Sequence, residues 1–381
     1  MRRLRAQLCA IPGIILVLLA VTACGASTAP VTQQTPQVTP TAAPVTPTTA
    51  ADPNGISVQG TQLYHQGQAI TLIGFNRTSL EYSCTGDEHL KLTDFQAMRT
   101  WGANVVRLPT SSEFWANAGG ACPTYRATVQ RVVASARAAH LFVILDLQWS
   151  APFDLPGDRT RGGVQCPMPD TGKDATMWQD IARLYSNDTG VLFDLYGEPF
   201  GISWSTWLNG GTVTQGCYII GGPSARRESG TYQAIGMRPL VKLIREIAPD
   251  NVIIASGNNW GFDLSAIPNG FAIPGKNIVY DTHPFDYGGK QPGDWSRGFG
   301  QTSTQYPVIA GEFGSYSCGT SYIRQAIDYF NAHHISWLAW SWQTGPCSGP
   351  SLLADWSGAP SAPYGSYIKQ RMLAVAASQG A

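Results

Sequence analysis

Leu192-Phe193-Asp194-Leu195-Tyr196-Gly197-Glu198-Pro199-Phe200 is the stretch that decides the fold. An apolar run reads as a buried strand, ends in the carboxylate of Glu198, and is stopped by Pro199. A carboxylate closing a strand buried on both faces is costly unless the mouth of a barrel receives it. A second run ends in the same way: Pro307-Val308-Ile309-Ala310-Gly311-Glu312-Phe313-Gly314. Together they predict a scaffold that holds Glu198 and Glu312 face to face.

Working outward, strands are expected at Thr71–Asn76, Asn104–Pro109, Phe142–Gln148, Val191–Glu198, Val252–Gly257, Ile278–His283, Pro307–Phe313 and Trp337–Trp342. All are short, apolar and rich in Val and Ile, as strands covered on both faces should be. Amphipathic helices are expected between them: Asp94–Trp101 with Thr93 as cap, Tyr125–His140, Thr176–Tyr185, Tyr232–Ala248, Tyr322–His334 and Tyr364–Ala377. Only a short turn at Asp263–Ile267 fills the segment between Gly257 and Ile278. Ile56-Ser57-Val58 and Gln62-Leu63-Tyr64 read as a hairpin plugging the floor. Strands alternating with helical crossovers predict an α/β fold, a (β/α)8 TIM barrel, with its chemistry at the C-terminal strand ends. A doubly wound open sheet is the alternative. It would normally carry a glycine-rich phosphate turn after its first strand, and Ile73-Gly74-Phe75-Asn76-Arg77 has none.

The strand ends deliver Asn76, Arg107, Gln148 with Trp149, Glu198, Asn258 with Trp260, His283, Glu312, and Trp340 with Trp342. Hydrogen-bonding groups and flat rings converge on two carboxylates. Sugars need this combination, because hydroxyls demand directional partners while the C–H faces of the ring stack on indoles. Cleaving an acetal needs a proton for the leaving oxygen and a stabiliser for the oxocarbenium-like centre. Carboxyls roughly 5–5.5 Å apart give retention through a covalent intermediate, and a gap of about 6.5–9.5 Å admits water and gives inversion. Close like charges keep one carboxyl protonated and the other ionised. Asp146 and Asp281 lie within strands and read as structural.

These residues carry a resemblance. From about Gly55 onward the chain resembles glycoside hydrolase family 5, the cellulase-type branch of the retaining barrel hydrolases. The matching stretches are Gly74-Phe75-Asn76-Arg77, Val105–Pro109, Val143–Trp149, Tyr196-Gly197-Glu198-Pro199, Val279–His283, Gly311-Glu312-Phe313-Gly314 and Ile335–Trp342, in order and at barrel spacing. The resemblance implies Glu198 as general acid/base and Glu312 as nucleophile. It also implies that Arg107 supports the nucleophile and that Trp340 stacks on the sugar beside the cleaved bond. Three positions depart from the family pattern. Gly197 stands where an Asn usually grips the sugar 2-hydroxyl, and Gln148 stands where a His is usual. Phe285 stands where a Tyr usually bonds the nucleophile, with Tyr287 as a replacement from the loop.

Composition narrows the ligand. The 381 residues are 43% hydrophobic and 13% charged, with 25 basic and 25 acidic side chains. That balance leaves no electrostatic footprint for nucleic acid. Low charge with 12 Trp and 15 Tyr suits a neutral, ring-bearing ligand. No CxxC or Cys/His spacing suggests zinc, so neither metal nor cofactor is expected.

At the N-terminus, basic Met1–Arg5 precedes the apolar run Ile14–Ala20, which is short for a membrane span. Val21-Thr22-Ala23-Cys24 resembles the bacterial lipobox, which implies cleavage before Cys24 and a lipid on its sulfur; a plain secretory signal is the alternative. The expected organisation is a signal at 1–23, an extended Pro/Thr-rich spacer at 24–52 and one catalytic domain at 53–381. An exported monomer is expected, touching a membrane only through Cys24. Six cysteines remain for disulfides in an exported chain. Of the pairings they allow we expect Cys84–Cys122, Cys166–Cys217 and Cys318–Cys347, each joining loops that leave the same end of neighbouring strands.

Two functions follow as expectations. One is a retaining endo-acting hydrolase of β-1,4-glucan or a related polysaccharide such as mannan. The other, motivated by Gly197, Gln148 and Phe285, is a barrel that holds oligosaccharide without cutting it.

Overall fold

The computed structural model describes residues 55–150, 152, 163–219, 226–317, 319–346 and 349–379. The expected signal, Cys24 anchor and spacer, and the pair Cys318–Cys347, lie outside the described residues. The other two expected disulfides are present, Cys84–Cys122 and Cys166–Cys217.

Eight parallel strands close into a barrel: β1 (Ile73–Asn76), β2 (Val105–Ser111), β3 (Phe142–Trp149), β4 (Val191–Asp194), β5 (Ile253–Ser256), β6 (Ile278–Asp281), β7 (Val308–Phe313) and β8 (Ser336–Ala339). Every residue in them is buried, which explains why they read as continuous apolar runs rather than as alternating ones. Each strand pairs with its sequence neighbours, and β8 closes the ring on β1 through Trp337–Ile73.

The pleat sorts the interior into layers, since alternate side chains share a face. Val105, Ile144, Leu192, Ile254, Val279, Ile309 and Leu338 form a lower apolar layer. Ile56 and Leu63 press on it from a three-stranded antiparallel sheet, Ile56–Gln59, Gln62–His65 and Gln68–Ile70. The floor is therefore one strand larger than the expected hairpin. Two residues further along, the same faces carry Arg107, Asp146, Asp194, Ser256 and Asp281, all fully buried. On β7 the equivalent place is Gly311. A Cβ there would lie 2.2 Å from Asp281 Oδ2, and the Gly311 N–H donates to Asp281 Oδ1 at 2.6 Å.

The helices cover the barrel with few surprises. Leu92–Arg99 starts after Lys91, with Thr93 inside the helix, not at its cap. The N–H of Lys91 bonds Asp94, so the carboxylate three places further on satisfies the helix start. The expected helix over Tyr232–Ala248 divides. Tyr232–Ile235 is a strand paired with Gly210–Val213, and only Met237–Arg245 is helical. Gly236 sits between them against the backbone of Asn209 and Gly210, where no side chain fits, and this close approach ends the helical pattern. Between β5 and β6 there is a single short turn, Ile267–Asn269. Among the described residues no helix is long and apolar enough to cross a membrane.

Candidate active site

β4 ends at Asp194, and the chain continues through buried Leu195 and Tyr196 to Glu198 at the rim. On β7, strict alternation would turn Glu312 away from the face that Ile309 and Gly311 share. The β7–β8 register instead shifts between Ala310 and Phe313, and that irregularity brings Glu312 into the cleft. One carboxylate oxygen of Glu198, one of Glu312 and a ring nitrogen of His283 all lie within 4.8 Å of one another. These three are also the side chains, among the described residues, grouped closely enough to hold a cation.

Arg107 organises the floor under them. Its Nε donates to Asp194 Oδ2 at 2.9 Å, its Nη1 to Asn76 Oδ1 at 3.0 Å and to Glu312 Oε1 at 2.5 Å, and its Nη2 pairs with Asp146 at 3.1 Å. Asn76 in turn donates to the Gly311 carbonyl at 2.8 Å. Burial holds Asp146 well above the carboxylate range and lifts Asp194 to about 6, against the pull of Arg107. Burial likewise raises Glu312, with His283 and Arg107 opposing it.

His283 bridges the layers. Its Nε2 lies 3.0 Å from Asp281 and its Nδ1 3.2 Å from Glu198 Oε1 and 3.7 Å from Glu312. Burial alone would lower this imidazole, but the charges of Glu312 and Asp281 carry it up to about 10. Burial alone would raise Glu198. The bond and charge of His283, then Lys290 and Gln165, bring it down to about 2. Both shifts favour a protonated imidazole at His283 beside an ionised Glu198.

The cleft above has a volume of about 510 Å³. Gln148, Trp149, Trp260 and Trp340 line it with both carboxylates, while Asn76, Arg107 and His283 lie beneath as its supports. Trp260 stacks on Phe200 at 4.0 Å. Two expected site residues stand elsewhere. Asn258 spends its amide on the Ile202 carbonyl and the Asn259 N–H, locking the loop after β5. Trp342 is core, 4.7 Å from Phe75 and 4.9 Å from Trp101. The two tryptophans two residues apart should therefore separate in experiment. Trp342→Ala should cost roughly 3–5 kcal/mol of stability, read by urea unfolding, whereas Trp340→Ala should leave the urea midpoint in place and raise KM.

Two of the three departures from the family pattern, Gly197 and Gln148, prove to be linked in space. A Cβ at Gly197 would meet Gln148 Oε1 at 2.3 Å and Arg107 Nη2 at 2.7 Å. Gln148 thus occupies the room that a side chain at 197 would need. Phe285 lines the cleft, and Tyr287 stands two-thirds exposed at its rim without a hydrogen bond to Glu312 among the described residues. Sequence reasoning missed Glu81, Tyr82, Gln165, Tyr218, Lys290 and Tyr316, which also line the cleft. All lie on loops, outside any strand-end pattern, except Gln165 and Tyr218, on short strands of two separate insertions. Glu81 is buried with one oxygen on the Ser79 N–H and the other unpartnered, and burial pushes it up to about 8.

Comparison with known proteins follows this geometry. The family described as cellulase, glycosyl hydrolase family 5, matches residues 63–345. Endoglucanase E-5 of Thermobifida fusca is 23% identical over 89% of this chain and 68% of its own length. Endoglucanase C of Evansella cellulosilytica is 25% identical over 63% of this chain, which spans only 30% of that protein. Among solved structures, the catalytic domain of a Thermobifida fusca endoglucanase superposes with a TM-score of 0.63 at 18% identity, covering 84% of this chain and 98% of that one. A β-glucanase of Saccharophagus degradans in complex with cellotetraose does so with a TM-score of 0.63 at 19% identity, covering 84% and 94%. These structures share the fold. The closed eight-stranded barrel, the carboxylate pair at its mouth and a family match over most of the chain lead to one assignment: the chain belongs to glycosyl hydrolase family 5, the cellulase family.

Proposed function

We propose that the protein is a retaining endo-β-glucanase that cuts β-1,4-linked glucan inside the chain. The observation that carries this reading is the approach of Glu198 and Glu312 to within 4.8 Å across an open, aromatic-lined cleft. That gap is too narrow for a water between two carboxylates and suits double displacement.

The roles follow from the partners. Arg107 holds Glu312 Oε1, which leaves Oε2 to attack the anomeric carbon. As the C–O bond breaks, Glu198 gives the leaving oxygen a proton drawn from the pair it forms with His283. The glycosyl–Glu312 ester is then cleaved by water. Glu198 takes one proton from that water, its hydroxyl adds to the anomeric carbon, and Glu312 leaves as carboxylate. Configuration is retained because two inversions occur at one carbon. Trp340 and Trp260, which both line the cleft, supply stacking faces for pyranose rings. The basic and apolar leader with Cys24 supports an exported, lipid-tethered enzyme, working as a monomer at the end of its spacer.

The test is a panel of soluble β-glucan, glucomannan, mannan and xyloglucan, with product anomers followed by NMR. A rapid fall in β-glucan viscosity for few new reducing ends, with β-anomer formed first, is expected. Faster cleavage of mannan would move the substrate within the same chemistry. An α-anomer as first product would overturn the double displacement, and no reducing sugar from any polymer would overturn the enzyme.

A further inference from the structure

Gln165 belongs to none of the eight barrel strands, yet it reaches the acid/base candidate. It sits on Val164–Gln165, a two-residue edge strand in the insertion between β3 and the helix Lys173–Tyr185. Its side chain is 2% exposed, and its Nε2 donates to Glu198 Oε2 at 3.0 Å. Gln148 approaches the same oxygen less closely, at 3.4 Å. Two amides therefore aim at Oε2, and Oε1 is left to His283. A carboxyl gripped in this way cannot rotate freely, and the oxygen that exchanges its proton with the imidazole is specified.

Three features hold Gln165 in place. It pairs with Tyr218 across an antiparallel bridge, and Tyr218 leans on the Phe200–Trp260 stack at 5.4 Å from each ring. The following residue, Cys166, is bonded to Cys217, the neighbour of Tyr218. The backbone of Cys166 also donates to the Tyr196 hydroxyl at 3.1 Å and accepts from it, and Tyr196 lies two residues before Glu198. A chain segment that begins far from Glu198 in sequence is thus tied to the strand that carries it.

We propose that Gln165 is a positioning residue for Glu198, and that the Cys166–Cys217 disulfide serves catalysis by holding Gln165 against it. This rests on Glu198 acting as the general acid/base. An N–H donor that strengthens as the carboxylate forms favours proton release to the leaving group and orients the base for the second step. In the first step the effect is confined to substrates whose leaving group needs that proton.

The experiment compares the wild-type full chain with Gln165→Met and Gln165→Glu on two substrates, cellotetraose and 2,4-dinitrophenyl β-cellobioside. kcat/KM reports the first, bond-breaking step, and dinitrophenolate departs without a proton. Gln165→Met should lower kcat/KM on cellotetraose by about tenfold, part of the 10²–10⁴ that general acid–base catalysis contributes, and change it on the aryl glycoside less than about twofold. Gln165→Glu, which sets a second carboxylate on Glu198, should widen the split. Cys166→Ser/Cys217→Ser should reproduce it with the far-ultraviolet spectrum unchanged. Equal losses on both substrates, or none, with an active wild type would overturn the role of Gln165 alone. A split in Gln165→Met without one in the double serine variant would overturn the role of the disulfide. A wild type inactive on both substrates would overturn the β-1,4-glucanase reading and this proposal with it.

Discussion

Glu312→Ala should abolish turnover of β-glucan while leaving the protein folded. In the proposed double displacement the carboxylate is the attacking group in the first step and the leaving group in the second, and no other side chain takes that role. Removing the nucleophile or its partner base in a covalent catalyst costs about 10⁴–10⁶-fold in kcat, and a loss of that order is expected in reducing-sugar release. Stability should hold or rise. Burial raises Glu312, so its ionised form is a cost to the folded state that Arg107 and His283 only partly offset. The check is a pair of measurements on one preparation, activity and the urea midpoint. Undiminished activity in Glu312→Ala would show that the cleft works by other residues.

Arg107→Met should strike stability as well as rate. The guanidinium is fully buried and touches Asp146, Asp194 and Glu312 at 2.5–3.1 Å. A methionine of similar length leaves three carboxyls facing one another with His283 as the neighbouring cation that still acts on all three. Breaking a buried pair from one side costs roughly 3–5 kcal/mol, and three partners place this variant at the upper end of that range. The loss must depend on pH, and its sign is set. Asp146 and Asp194 already titrate above their unfolded values, and losing Arg107 raises them further. The folded variant then binds protons more tightly than the unfolded chain, so its stability falls as pH rises through the raised values and recovers as pH drops towards the unfolded ones. Urea midpoints of variant and wild type should converge between pH 8 and pH 5. Parallel curves, offset by a constant amount, would rule out the charge cluster as the cause. Arg107→Lys should fall between them, because one ammonium cannot replace a fork that reaches four acceptors.

Much of the architecture was legible before any coordinates. The eight barrel strands are found where buried, β-branched runs stand, within four residues at each end, because strands covered on both faces read as largely apolar runs. Both carboxylates were legible as well, since a charged residue closing such a run has few other places to go. The helix over Tyr232–Ala248 misread a strand because Tyr232, Ala234 and Ile235 suit either period, and only the pairing with Gly210–Val213 separates them. Asn258 and Trp342 were drawn to the site by their nearness to strand ends. The loop after β5 claims the first, and the packing of Phe75 and Trp101 claims the second.

By itself, the amino-acid sequence determined the ring of strands, the apolar floor, the order in which polar residues reach the mouth, and the family. Those are properties of local pattern, and pattern is read along the chain. Tertiary structure alone decided how Glu312, expected at the mouth, comes to face it: a one-residue slip in pairing between β7 and β8 reverses the side it points to. It also decided that Arg107 binds Asp194 and Asp146, that Gln148 fills the space over Gly197, and that Gln165 comes to Glu198 from an insertion. These depend on distances between segments far apart in the chain, and close contact between such segments is created only when the barrel shuts.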